Sequence, residues 1–481
     1  MESQFKQGYA GTRWRLLAPE FHGVAKQGVT EVQRALQRFL SYVLPVDLPG
    51  EIPTGSSGHI AVAGTAEAPV LRELISRGVI PRPGGREGYS VFLGPSPWNP
   101  PSRLLAVAGS DAAGVLYGSQ EVAARLSLEG NSLDGFSARQ QFLDNAPDFS
   151  VAEKPAIARR GIWCWGYTVY CYRALLEKMA RLKLNMLVIW NDRAPLNIGE
   201  VIAAAHERNI QVILGLHCGW GHEGSLDLSR DEDRAAIVGQ VMDTYREQYA
   251  QVTHDGIYFQ TLTEHSDRRL SGASTASWVR KLINEVAQAL HAHHPGLRIE
   301  FGIHATSIGE DDRDLRTVDS RVELVWEDCG SMPFAYTADR LEDFDKTLDW
   351  SRRLAALRPG SEFAMVAKGW PFLRWMADFE NHEGFILGER SMEWVRQRLE
   401  ARRAEWDKVN VSWLRSFPWA AKFYREMLEI NPMLSVAGLV EDGMLEAKAQ
   451  LSVALFAETL WNPHRNDDEL LTRAARPFLN F

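Results

Sequence analysis

The sequence predicts an α/β fold: a (β/α)₈ barrel over residues 159–481, preceded by a small α/β domain over residues 1–148. Three observations predict it. From Arg159 onward, short apolar strand-like segments alternate with helical patterns, which implies βα units and a parallel sheet. Eight such strands can be read, a number that implies a closed barrel rather than an open sheet. The 481 residues are also enough for one large barrel and an accessory domain.

The preceding domain is read from its own elements. Thr30–Leu44 carries apolar residues three and four apart, the spacing of a helix. His59–Ala63, Tyr89–Leu93 and Arg103–Ala108 read as strands. Gly109-Ser110-Asp111 reads as a turn into a helix over Val115–Leu126. The Pro-rich stretches at Pro81–Pro83 and Pro95–Pro101 read as loops. In the barrel, the expected strands are Gly161–Gly166, Met186–Asn191, Gln211–His217, Gly256–Leu262, Arg298–His304, Val322–Glu327, Glu362–Lys368 and Leu434–Val440. Helices are expected between most of them, among them Tyr172–Leu182, Ser274–His291 and Met392–Trp406, and Leu445–Trp461 as the closing helix.

Composition narrows the function class. Apolar residues make up 45% and charged residues 24%, the balance of a soluble globular protein. A formal net charge of −9 argues against nucleic acid or an anionic membrane as partner. No apolar run is long enough to span a bilayer. The N-terminal stretch lacks the apolar core of a secretory signal, so the chain as written is expected in the cytoplasm, or in the periplasm or medium if a leader has been removed. The four cysteines, Cys164, Cys171, Cys218 and Cys329, form no CxxC pair, so neither a zinc ribbon nor a thioredoxin-like centre is expected. No phosphate-loop, dinucleotide or GxSxG motif is present, and neither metal nor cofactor is expected. Sixteen tryptophans suit sugar binding, because the apolar face of a sugar ring stacks on an indole. They suit an aromatic-rich core equally well.

In a (β/α)₈ barrel the chemistry lies at the C-terminal ends of the strands. There the sequence places Trp165 after strand 1, Trp190, Asn191 and Asp192 after strand 2, and His217 and Trp220 after strand 3. Glu264 follows strand 4, His304 strand 5, and Trp326, Glu327 and Asp328 strand 6. Lys368 and Trp370 follow strand 7, and Glu441 strand 8. Aromatic and acidic residues thus recur at one rim. Cleavage of a glycosidic bond needs a carboxylic acid to protonate the leaving oxygen. It also needs a second carboxylate to stabilise the oxocarbenium-like transition state, activate water or attack. Glu264 is assigned as the acid. Glu327 or Asp328 is the second carboxylate, Glu327 preferred, since alternation along a strand turns it to the side opposite Trp326. Trp190, Trp326 and Trp370 are expected to line one pocket. Two alternatives use the same rim: a carbohydrate-binding barrel without catalysis, and a lyase or isomerase with His217 or His304 as base.

Some segments resemble known families. Leu105–Leu126, with Gly109, Asp111, Gly114, Tyr117 and Gly118, resembles the end of the small domain that precedes the barrel in glycoside hydrolase families 20, 67 and 84. The barrel opening, with Arg160, Gly161, Lys183 and Asn185, is similar to the first βαβ unit of that group. Leu455–Pro463 is similar to its closing segment. The resemblance implies an exo-acting glycosidase, with an N-acetylhexosaminide or a glucuronide as substrate. Thr263 precedes Glu264, so the paired acids of family 20 and 84 hexosaminidases are not matched. Lys368, Arg160 and Arg193 are candidates to pair a uronate carboxylate.

Overall fold

The computed structural model describes residues 12–48, 58–130, 136–165, 169, 171–190, 194–219, 226–260, 268–270, 272–304, 308, 311–327, 344–368, 370, 387–440, 445–476 and 479. The chain divides into two compact units. One comprises Met1–Pro155 with Glu207–Asn209 and Arg476–Phe481, and the other Ala156–His206 and Ile210–Ala475. Among the described residues, no helix is long and apolar enough to cross a membrane.

The first unit holds a mixed sheet of β1 (Trp14–Leu17), β2 (Val46–Asp47), β3 (His59–Thr65), β4 (Tyr89–Pro95), β5 (Arg103–Gly109) and β6 (Phe149–Glu153), in the order β2-β1-β3-β5-β4-β6. β1 runs parallel to β2 and β3, and β3 to β5. β4 is antiparallel to β5 and β6. The sheet therefore reaches beyond Asp148, where the sequence reading ended this domain. The first helix spans Gly23–Gln37, seven residues ahead of the Thr30–Leu44 expectation. It stops at Gln37 because that side chain organises the turn that follows. Gln37 Nε2 donates to the Tyr42 carbonyl at 2.6 Å, and Oε1 accepts from Leu44 N at 2.8 Å.

The Gly-Asp-Gly motif of this unit proves to be a packing device. Asp111 Oδ1 accepts from Gly114 N, capping the helix Ala112–Gly130, while Oδ2 accepts from Glu87 N, each at 2.8 Å. A Cβ at Gly114 would lie 2.1 Å from the Gly88 carbonyl oxygen. Only glycine lets the helix approach the sheet this closely.

The second unit is a closed barrel of eight parallel strands. They are β7 (Arg159–Trp165), β8 (Met186–Trp190), β9 (Gln211–His217), β10 (Gly256–Gln260), β13 (Ile299–Ile303), β14 (Val322–Trp326), β15 (Phe363–Ala367) and β16 (Leu434–Leu439). A short antiparallel ribbon, β11 (Arg269–Leu270) and β12 (Ala273–Ser274), follows β10. Each barrel strand lies within two residues of its expected start and end. Most strands are followed by a helix, as in Thr275–His293, where Ser274 Oγ accepts from Ser277 N and Val279, Leu282, Ile283, Val286 and Leu290 form the buried stripe. After β13, a 3₁₀ helix spans Asp311–Thr317. The helical stretch expected from Met392 breaks at Arg402, giving Met392–Ala401 and Arg403–Ile430.

Alternation along the strands fills the barrel in tiers. Trp163, Met186, Val188, Trp190, Ile213, Tyr258, Val325, Ala364, Val366, Ala437 and Leu439 form one buried inner cluster. The cavity left among them is only about 10 Å³. At the N-terminal end an ion network closes the barrel. Arg159 pairs with Glu323 at 2.7 Å and with Glu300. Arg298 bonds Glu323, Glu300 at 3.2 Å and Glu362 at 2.7 Å. Burial pushes the Glu323 carboxyl upward, but the guanidiniums of Arg159 and Arg298 outweigh it and hold the group below its ordinary value. The described interior is thus packed, and this end is closed by ion pairs.

Candidate active site at the barrel mouth

Period-two alternation carries the inward face of each strand to the mouth. On β14, Val325 belongs to the inner cluster, so Glu327, two residues on, also turns inward. Gln260 ends β10, two residues after the inward Tyr258. His304 follows β13 and Lys368 follows β15. All converge on one carboxylate oxygen. Gln260 Nε2 donates to Glu327 Oε2 at 3.0 Å. His304 Nε2 lies 3.1 Å from the same oxygen, and Lys368 Nζ lies 4.0 Å from it. Gln260, His304 and Glu327 are each at most 2% exposed.

The hydrogen bonds specify a histidine tautomer. Gln260 Nε2 is also 2.6 Å from His304 Nδ1. Its amide must present N–H to the carboxylate, because the carbonyl oxygen there would face another acceptor. The same amide nitrogen therefore donates to Nδ1, which must carry a lone pair. In a neutral ring that leaves the proton to Nε2, which lies 3.1 Å from Glu327 Oε2 and 3.2 Å from the Gln260 amide nitrogen. The arrangement gives Glu327 a hydrogen bond from the Gln260 amide, a close imidazole nitrogen and a nearby ammonium, contacts that favour its ionised form. Among the described residues no group of three or more His, Cys, Asp or Glu side chains is placed to hold a metal ion.

Glu327 and His304 are thus brought together as candidates, with Lys368 beside them. Trp190 joins them at the inner face, its ring 4.9 Å from that of Tyr258 and 6.0 Å from that of Trp163. Trp165 and His217 end β7 and β9 at the same end of the barrel. Glu264, Asp328, Asn191, Asp192, Trp220 and Glu441 lie outside the described residues.

Three expected contacts belong elsewhere. Trp326 is on the outward face of β14, stacked on Trp350 at 5.8 Å, with Nε1 donating to Ser351 Oγ at 3.1 Å. Trp370 stacks on Trp413 at 4.6 Å and meets Phe456 edge-on. Both indoles fill the seam between barrel and helices, so the common pocket expected for Trp190, Trp326 and Trp370 does not form. Arg160 faces outward at the opposite end of its strand. Its guanidinium donates to the carbonyls of Ile157 and Ala158 at 2.6 and 3.0 Å and to that of Lys183 at 2.9 Å. It also lies over the Trp461 ring, as does Lys183 Nζ, while Asn185 Oδ1 accepts from Arg160 N at 2.8 Å. The Arg-Gly, Lys-x-Asn and closing-segment resemblance is thus explained by one structural clamp where the barrel closes.

Gln260 is read from the sequence at the end of strand 4 without a role, and Tyr258 is not singled out. The signal was Gly302 in IEFGIH: a glycine within an apolar strand marks a close approach. Gly302 pairs with Gln260 in register. A Cβ there would come within 1.8 Å of both Tyr258 Oη and Glu327 Oε1.

The fold is shared with solved glycoside hydrolases. One is a GH138 enzyme targeting pectin rhamnogalacturonan II, at a TM-score of 0.54 and 12% identity, covering 95% of this chain and 64% of that one. Another is BtGH115A, a GH115 4-O-methyl-alpha-glucuronidase with specificity for decorated arabinogalactans, at 0.55 and 14%, covering 96% and 58%. A third, CpGH84D, reaches 0.44 at 11% identity, covering 96% and 90%, and is too distant to support any detail. The chain thus spans about three fifths of the length of the first two. No protein-family model matches it, and no curated protein does.

Proposed function

We propose that the chain is a glycoside hydrolase whose reaction takes place at the C-terminal mouth of the barrel. Glu327 would be the carboxylate that faces the anomeric carbon, and Glu264, after β10, the proton donor. One observation carries the reading. A buried carboxylate at the mouth of the barrel is approached by side chains from the ends of two other strands, Gln260 at 3.0 Å and His304 at 3.1 Å. Donors of this kind keep a carboxylate ionised, as an oxocarbenium-like transition state requires. The likeness in fold to glycoside hydrolases supports it. Base chemistry at His304 is disfavoured, because Nδ1 lies 2.6 Å from the Gln260 amide and Nε2 lies 3.1 Å from Glu327 Oε2.

For the substrate we propose an exo-acted glycoside, with glucuronides ahead of N-acetylglucosaminides. Lys368 places an ammonium 4.0 Å from Glu327 Oε2, where it can also meet a uronate carboxylate. The likeness to a 4-O-methyl-alpha-glucuronidase agrees with this order. The test is a screen of aryl glycosides followed by Glu327→Gln. Hydrolysis of one member, reduced about 100-fold or more in the variant, is the expected result. Undiminished turnover by Glu327→Gln would remove Glu327 from the reaction.

A further inference from the structure

We propose that Tyr258 is a positioning residue for Glu327, its hydroxyl donating to the carboxylate and holding it in the ionised form. The proposal rests on reading Glu327 as the working carboxylate. Tyr258 lies two residues before Gln260 on β10, so both turn into the barrel. Its ring is held between those of Trp163 at 5.1 Å and Trp190 at 4.9 Å, and the side chain is 1% exposed. Its hydroxyl is buried and has no hydrogen-bond partner among the described residues.

The missing side chain of Gly302 shows what the hydroxyl is for. Tyr258 Oη and Glu327 Oε1 both come within 1.8 Å of the position a Cβ would take there, so the two oxygens share the space that glycine leaves open. A phenol can donate, and an ionised carboxylate can only accept. A small rotation of either group completes the bond, whereas any larger residue at 302 would occupy the gap. Among the described residues, the groups facing Glu327 include His304 following β13, Lys368 following β15, and Gln260 and Tyr258 from β10. All of them favour the charged form. Gln260, His304 and Lys368 approach Oε2, whereas Tyr258 stands on the side of Oε1.

The experiment reads the carboxyl directly. Side-chain ¹³C NMR of the glutamate-labelled full chain is followed against pH, with the Glu327 signal identified by its loss in Glu327→Gln. In Tyr258→Phe the Glu327 midpoint is expected to rise by about one unit or more, since a donor to the charged form has been removed. On any glycoside that the wild type hydrolyses, kcat should fall with KM little changed, and the acidic limb of the pH profile should move up with the midpoint. A residue that only packs would leave both unmoved. Incorporating 3-fluorotyrosine at position 258 keeps the ring and strengthens the donor, so the midpoint should fall; this reading stands if Tyr258→Phe folds poorly. A midpoint unchanged within a few tenths of a unit in either protein overturns the proposal. The titration needs no substrate, so a chain that hydrolyses no glycoside would count against the proposed function without deciding the role of Tyr258.

Discussion

Gln260 and Glu327, 67 residues apart and carried by barrel strands that are not neighbours, meet at 3.0 Å through Nε2 and Oε2. The contact reaches past β13, whose Gly302 contributes no side chain to block it, and His304 completes a three-residue network. If this network sets the charge of Glu327, removing Gln260 should be costly. A hydrogen bond to a charged group is worth roughly 1.5–3 kcal/mol, and each 1.36 kcal/mol is tenfold in rate. Gln260→Ala is expected to lower kcat about 10- to 100-fold, while circular dichroism shows the fold retained.

The tautomer of His304 is a prediction independent of turnover. Long-range ¹H–¹⁵N spectra should show a neutral ring protonated at Nε2, with Nδ1 in the range of an acceptor. In Gln260→Ala, Nδ1 loses its donor and its shift should move. A ring protonated at Nδ1 alone would show that the network is wired the other way.

Trp326 and Trp370 should matter for stability rather than for binding. Each is packed against a second tryptophan in the helical layer. Replacement of either by alanine is expected to cost about 3–5 kcal/mol in denaturant unfolding, with KM of the folded fraction unchanged. A rise in KM at unchanged stability would put these rings back in the sugar site.

The ion network at the sealed end predicts an acid limit. Burial raises the Glu323 carboxyl, and Arg159 and Arg298 more than reverse this, leaving it below the ordinary 4.5. The unfolded chain therefore binds more protons between the two values. The stability contributed is complete above pH 4.5 and is lost as pH falls through the lowered folded value. The urea midpoint should drop over that interval, and Glu323→Gln should flatten the drop. At neutral pH the same variant leaves Arg159 and Arg298 short of a partner and should cost about 3–5 kcal/mol.

The strands were legible because their signal is local. An apolar run of five to seven residues, repeated eight times between helical patterns, needs no knowledge of its neighbours in space. The first helix was placed too late because its end is decided by Gln37 bonding forward to Tyr42 and Leu44, a contact that apolar spacing does not register. The break at Arg402 escaped the periodicity for a similar reason: both sides of it are helical.

By itself, the sequence determined the barrel and its eight strands, and period-two alternation required Trp326 and Glu327 to face opposite sides without saying which faced the axis. Only the tertiary structure decided which rim residues share a site. Trp326 and Trp370 face outward because the Phe344–Ala355, Arg403–Ile430 and Leu451–Trp461 helices supply Trp350, Trp413 and Phe456 for them to pack on. Arg160 is taken by backbone carbonyls where the barrel closes. Gln260, His304 and Glu327 converge because closure brings the ends of β10, β13 and β14 around one axis. Ring closure and helix packing are sums over residues distant in sequence, and no local pattern contains them.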